Sequence, residues 1–135
     1  MNYKDEFRFN IKHRNIINII EGNVVLGEDD TQYLYMIMER GIPLLEFFKN
    51  GITLKQVRQI TLDVIEGLIY LHNEFIVHRD IKPDNILIIV ENNRWRAVII
   101  DFNVAKKIGY QKANEFCGTQ GFMAPELIDG LDYDY

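Results

Sequence analysis

One cysteine, Cys117, stands alone in 135 residues, so neither an intrachain disulfide nor a cysteine-built zinc cluster is available. No apolar run approaches the roughly 18 residues that a membrane-spanning helix needs. The start, Met1-Asn2-Tyr3-Lys4-Asp5-Glu6, lacks the basic-then-apolar layout of a secretory leader. Basic charge is short as well. Fifteen Lys and Arg against 20 Asp and Glu leave a net charge of −5, which argues against a face that tracks nucleic-acid phosphates. Internal repeats, low-complexity tracts and Pro/Gly-rich linkers are missing. From these absences a soluble, cytoplasmic protein with no nucleic-acid or membrane partner is expected.

What is present is ordinary for a globular domain: 47% hydrophobic and 26% charged residues. A chain of this length is one domain and buries about two thirds of its unfolded surface. Val24-Val25-Leu26 and Tyr33 to Met38 are rich in strand formers and flank the polar turn Gly27-Glu28-Asp29-Asp30, which predicts an antiparallel pair. Spacing before Ile11 suggests the end of a helix. Gly41-Ile42-Pro43 marks a boundary. A short helix is expected from Pro43 to Lys49, stopped near Asn50-Gly51. Thr53 can cap a long helix reaching about His72. Its apolar positions Val57, Ile60, Val64, Leu68 and Leu71 are widened by Leu62, Ile65 and Ile69, which predicts a central helix buried around most of its circumference. Farther on, Ile86 to Val90 and Ala97 to Ile100 read as a hairpin turning at Glu91-Asn92-Asn93-Arg94. Trp95 and Arg96 read as surface residues of that hairpin.

The chemistry concentrates in His78-Arg79-Asp80-Ile81-Lys82-Pro83-Asp84-Asn85 and in Asp101-Phe102-Asn103 beyond the hairpin. An Asp, a Lys and an Asn at these offsets suit a loop that sets a hydroxyl beside a metal–triphosphate, with the second Asp as a further metal ligand. The hairpin would hold Asn85 at its entrance and Asp101 at its exit, both on a rigid support. Two further segments lie in matching order: His13-Arg14-Asn15-Ile16-Ile17, and Cys117 to Glu126 ending in Ala124-Pro125-Glu126. On these motifs the sequence resembles the eukaryotic-type protein kinase family over most of its length.

The resemblance implies an α+β, protein kinase-like fold, present as an incomplete domain. Residues 1–41 would form an N-lobe remnant and hinge, and residues 42–135 a C-lobe with catalytic loop and activation segment. It implies Asp80 as the catalytic carboxylate, Lys82 beside the transferred phosphoryl group, and Asn85 and Asp101 as Mg²⁺ ligands. ATP would lie against Met38 in the gatekeeper position, Glu39 and Gly41 at the hinge and Leu87 as the floor under the base. Lys82 and Thr119 fit the Ser/Thr-directed members, so the implied partner is a protein substrate with Ser/Thr. His78 is expected to pack on Phe102. Arg79 of this family pairs with a phosphate on the activation segment. Residues 103–118 hold no Ser or Thr, Tyr110 is their one hydroxyl, and the chain has no Ser at all. Glu115 is therefore expected to supply the anion.

Three departures shape the expectation. No glycine-rich loop or lysine-bearing strand precedes the first motif, and Lys4 holds the place of the family's helix αC glutamate, with Glu6 two residues out of register. Asn103 replaces the usual Gly, where left-handed backbone would favour Asn over most side chains. The chain also ends before the helix that braces the loop from below. Apolar surface of the long helix should then stay exposed for a partner protein to cover. The reading from a different class is accordingly a catalytically inactive, pseudokinase-like interaction module.

Overall fold

The computed structural model describes residues 11–108 and 113–134. The expected helix end before Ile11, Lys4, Glu6 and Tyr110 lie outside the described residues. Strand β1 (Ile19–Leu26) pairs antiparallel with β2 (Gln32–Met38), Val24 opposite Leu34 and Leu26 opposite Gln32, with one irregularity between Ile19 and Glu21. The turn closes where the Gly27 amide donates to the Thr31 carbonyl at 2.8 Å and Asp30 takes a left-handed φ of 61°.

Pro43 lies just outside the short helix rather than opening it. Together Ile42 and Pro43 form β3, opposite Ile88 and Leu87, and helix α1 runs only from Leu44 to Phe47. Its exit needs Gly51, whose φ of 88° is left-handed. Helix α2 (Leu54–Asn73) starts on a reciprocal capping box. The Gln56 amide donates to Thr53 Oγ1, and the Thr53 amide donates to Gln56 Oε1 at 2.9 Å. Such a cap is worth about 1 kcal/mol.

Only one face of α2 is buried: Ile60, Asp63, Gly67 and Leu71. Leu62, Ile65 and Ile69 remain exposed, as do Leu54 and Val57. The expectation of a helix buried around most of its circumference is corrected here. A wide apolar stripe in the sequence does not report how many neighbours pack on it.

Strand β4 (Ile76–Val77) pairs with β7 (Lys106–Lys107), and α3 (Pro125–Ile128) follows near the end. Between them lies the hairpin of β5 (Ile86–Glu91) and β6 (Arg94–Ile99). Asn92 and Asn93 make its two-residue turn with φ of 50° and 58°, the left-handed pair that matches strand twist. Arg94, read from sequence as turn, belongs to the strand.

Alternation buries both hairpin faces. Ile86, Ile88, Ala97 and Ile99 meet Leu44 and Ile60 of the helices, whereas Ile89 and Val98 meet Ile17. Two buried polar residues tie α2 and the 13–17 segment to β6. The Ala97 amide donates to Asp63 Oδ2 at 2.8 Å, and Asn15 Nδ2 donates to the Ala97 carbonyl at 2.9 Å. Both satisfy backbone groups that would otherwise be unpaired in the core. The architecture is mixed α+β, with its core centred on β5–β6 and the chain's polar motifs at one end of that hairpin.

Candidate active site

The residues 78–85 leave β4 and return into β5 through a 3₁₀ turn at Pro83–Asn85. His78 is buried and anchors the loop. Its Nε2 lies 3.0 Å from the Ile100 carbonyl, and Nδ1 accepts the Asp80 amide at 3.3 Å. Both bonds are met by one neutral tautomer with its proton on Nε2. Burial pushes the imidazole below its ordinary pKa, which favours that neutral form. Its ring stands edge-on to Phe102 with centroids 5.0 Å apart, as expected for this pair.

Asp80 is the centre of the polar network. Thr119 Oγ1 donates to its Oδ1 at 2.6 Å, and Lys82 Nζ lies 2.8 Å from Oδ2. Asn85 Nδ2 donates to Oδ2 at 3.0 Å and to the Asp80 carbonyl at 2.8 Å. Lys82 Nζ also donates to Thr119 Oγ1 at 2.6 Å, closing a ring of three side chains. Burial opposes ionisation of Asp80, but the hydrogen bonds from Lys82, Thr119 and Asn85 outweigh it and hold the carboxyl below its ordinary pKa. The hydrogen bond to Asp80 raises Lys82 in turn. Near neutral pH both are charged.

The hairpin brings the second acid beside this ring. The Ile100 amide donates to the Asn85 carbonyl at 3.0 Å, so the chain entering β5 is stitched to the residue just before Asp101. Asp101 is exposed and acts electrostatically on both His78 and Lys82. It also carries the left-handed φ, at 65°, and its Oδ1 accepts the Asn103 amide at 3.2 Å. Asn103 is not among the left-handed residues. The strain expected at Asn103 therefore sits two residues earlier, on a side chain type that tolerates it.

Asn85 and Asp101 suit a hard cation. The Asn85 nitrogen is committed to Asp80, which leaves its amide oxygen for a cation, and Asp101 offers a second carboxylate oxygen beside the one that accepts the Asn103 amide. Among the described residues no cluster of three or more His, Cys, Asp or Glu exists to cage a metal. Two oxygen donors are what Mg²⁺ needs when phosphates and water complete its shell.

Met38 and Asp101 line one cavity of about 210 Å³ with Ile17, Ile19, Met36 and Phe102. Gly41 sits directly on Leu87: a Cβ on the glycine would come 2.8 Å from the Leu87 Cβ and 2.9 Å from Ile89 Cδ1. Glu39 turns its side chain away from that surface, into an ion pair with Arg96 and a 2.9 Å bond from the Asn18 amide. Arg96 further donates to the Arg14 carbonyl. The reading of Arg96 as a surface residue is corrected: its side chain is only 18% exposed and straps β6 to the segment after β2. Trp95 is half-buried against Phe47.

Arg79 meets its expected anion. Its Nη1 lies 2.7 Å from Glu115 Oε2 and donates to the Tyr133 hydroxyl at 3.0 Å, while Lys106 Nζ reaches Glu115 Oε1 at 2.5 Å. Tyr133 is buried and pairs with Ala113. Neither Lys106 nor Tyr133 carried a sequence signal beyond the general need of Arg79 for partners.

The sequence matches the model of the protein kinase domain over residues 6–135. The chain belongs to the protein kinase family. Among similar proteins, sperm motility kinase 3A of Mus musculus is 34% identical over 125 residues, covering 90% of this chain and 24% of the relative. Serine/threonine-protein kinase CLA4 of Candida albicans is 34% identical over 130 residues, covering 91% of this chain and 13% of the relative. The Saccharomyces cerevisiae CLA4 is 31% identical over 134 residues. This kinase chain thus spans about a quarter or less of the length of these relatives. Its α+β architecture is protein kinase-like. Among the described residues, no helix is long and apolar enough to cross a membrane.

Proposed function

We propose that this chain is a protein serine/threonine kinase catalytic core that transfers the γ-phosphoryl group of ATP to a protein hydroxyl. The observation that carries the reading is the ring of Asp80, Lys82 and Thr119. Asp80, held ionised, accepts a hydrogen bond from the substrate hydroxyl, orients its oxygen toward phosphorus and takes up its proton. Lys82 offsets negative charge growing on the transferred group. Mg²⁺, when bound, neutralises phosphate charge, and Asn85 Oδ1 with the Asp101 carboxylate would hold it. The adenine would lie between the hinge backbone at Glu39 and Gly41 and the floor at Leu87, with Met38 at the back. Residues 1–41 then serve as N-lobe strands and hinge, and 42–135 as the C-lobe. Support for Ser/Thr over Tyr comes from Thr119 and Lys82 crowding Asp80, which favours a short hydroxyl side chain.

The exposed apolar residues Leu54, Leu62, Ile65 and Ile69 along α2 favour a second reading, a catalytically inactive module whose partner protein covers that face. Thermal unfolding with and without ATP separates the two. At a hundred times its Kd, ATP should add about 2.7 kcal/mol of stability. That gain should require Mg²⁺ and vanish in Asp101→Ala. A melting curve indifferent to ATP with Mg²⁺ would favour the module.

A further inference from the structure

The hairpin that holds Asn85 at its base carries a different chemistry at its tip. Across the ladder Ile89 stands opposite Arg96 and Glu91 opposite Arg94, and strand alternation puts these four residues on one face. With Arg14 they line a cavity of about 460 Å³, within the size range of small-molecule sites. An adjoining cavity of about 310 Å³ shares Arg14 and Arg96 and adds Lys12. Lys12, Arg14, Arg94 and Arg96 thus gather on one surface of a chain whose net charge is −5. Of the two acids on that surface, Glu39 is committed to Arg96. Among the described residues, Arg14 and Arg94 are in no ion pair. Both are mounted on fixed backbone. Arg96 Nη1 donates to the Arg14 carbonyl, and the left-handed pair Asn92 and Asn93 sets the path into Arg94.

We propose that this cavity binds a small ligand carrying two or more phosphate groups, gripped by Arg14 and Arg94. A guanidinium fork matches phosphate oxygens two at a time, which an ammonium cannot do. Arg96, whose Nη atoms already serve Glu39 and the Arg14 carbonyl, adds positive charge rather than a free fork. Glu91 lies on the same face and offsets one of the unpaired cations, so a single negative charge gains little there. Several charges on one compact ligand gain more. Backbone already held in place lowers the cost of ordering the two arginines around it. The six residues of β5 separate Asn85 from the hairpin tip, about 20 Å at 3.3 Å per residue. The cavity is therefore distinct from the nucleotide position proposed above, and the inference stands without that reading.

The test titrates the 135-residue chain with inorganic pyrophosphate in the absence of Mg²⁺ and follows backbone amide NMR shifts. Saturating shifts are expected at Arg14 and residues 89–96, larger than any at residues 80–85 and 101–103. Arg14→Gln and Arg94→Gln should each weaken binding at least about tenfold, the scale of one lost hydrogen bond between charged groups. Both side chains are exposed, so neither variant should alter the amide spectrum away from the cavity. Lys55→Gln removes the same charge from an exposed position on α2 and should leave the affinity within about twofold. Acetate, a monoanion, should give no saturating shift. The proposal is overturned if pyrophosphate produces no saturating shift at residues 89–96, or if its shifts are confined to residues 80–85 and 101–103. Equal weakening by Lys55→Gln and Arg94→Gln would overturn it too, since a diffuse charge effect would then suffice. Acetate binding as tightly as pyrophosphate would refute the need for more than one phosphate.

Discussion

Asp63 offers a quantitative check on why α2 and β6 stay together. It is 2% exposed, and its Oδ2 accepts the amide of Ala97, a residue with no exposed surface. Its Oδ1 accepts Gln59 Nε2 at 2.9 Å. Asp63→Ala leaves the Ala97 amide buried with no acceptor, a penalty of about 1–3 kcal/mol, to which a charge-assisted bond and a small void add. We expect about 3 kcal/mol in total. For a domain of this size that lowers the melting temperature by roughly 12 °C, at about 4 °C per kcal/mol. Asp63→Asn keeps one oxygen for Ala97 but sets an amide NH2 opposite Gln59 in place of the second acceptor, so a smaller loss of about 1 kcal/mol is expected. Urea unfolding followed by circular dichroism measures both variants. If Asp63→Ala unfolds within about 0.5 kcal/mol of the wild type, the buried bond does not hold α2 to the hairpin and the reasoning fails.

Three further outcomes follow from the site. Gly118→Ala forces a Cβ against the Arg79 carbonyl at a left-handed φ, so it should destabilise by more than about 1 kcal/mol and slow phosphoryl transfer, read by melting and by turnover. Thr119→Val keeps the volume but removes the hydroxyl between Asp80 and Lys82, and kcat should drop about tenfold with ATP affinity retained, measured by steady-state kinetics. For Glu115 the folded pKa is depressed from 4.5 to about 2 by Lys106 and Arg79. Its contribution is complete above about 4.5 and is lost as the pH falls through about 2. Carboxyl carbon NMR should show that midpoint, and a midpoint near 4.5 would mean the ion pairs do not persist in solution.

Much of the architecture was legible because its signals are local. Thr53 announces the start of α2 by side-chain chemistry alone, and two adjacent Asn residues announce the β5–β6 turn. Asp80, Lys82 and Asn85 occupy one short loop, so their meeting follows from a single turn of chain. The pairing of Arg79 with Glu115 was reachable from the family resemblance, which implies an anion on that segment, because Glu115 is the one acid between residues 103 and 118. What stayed hidden depends on distant packing. Asp63 looks like a polar break in an apolar stripe, yet it is a buried acceptor for β6. Arg96 looks like a surface charge at a hairpin tip, and only the approach of Glu39 and Arg14 makes it a strap. The left-handed residue at Asp101 was misplaced onto Asn103 because the motif position, not the backbone path, suggested it. The apolar residues of α2 overstated burial because hydrophobicity does not count neighbours.

The central claim is that Asp80, within its ring of Lys82, Thr119 and Asn85, promotes phosphoryl transfer to Ser/Thr hydroxyls. Transfer of labelled γ-phosphate from Mg²⁺–ATP to Ser-, Thr- and Tyr-containing peptides, by the wild-type chain and Asp80→Asn, tests it most directly. The account predicts label on Ser and Thr, little on Tyr, and a loss of at least about 10²-fold in Asp80→Asn. Equal transfer by the two proteins, or none by the wild type, would contradict it.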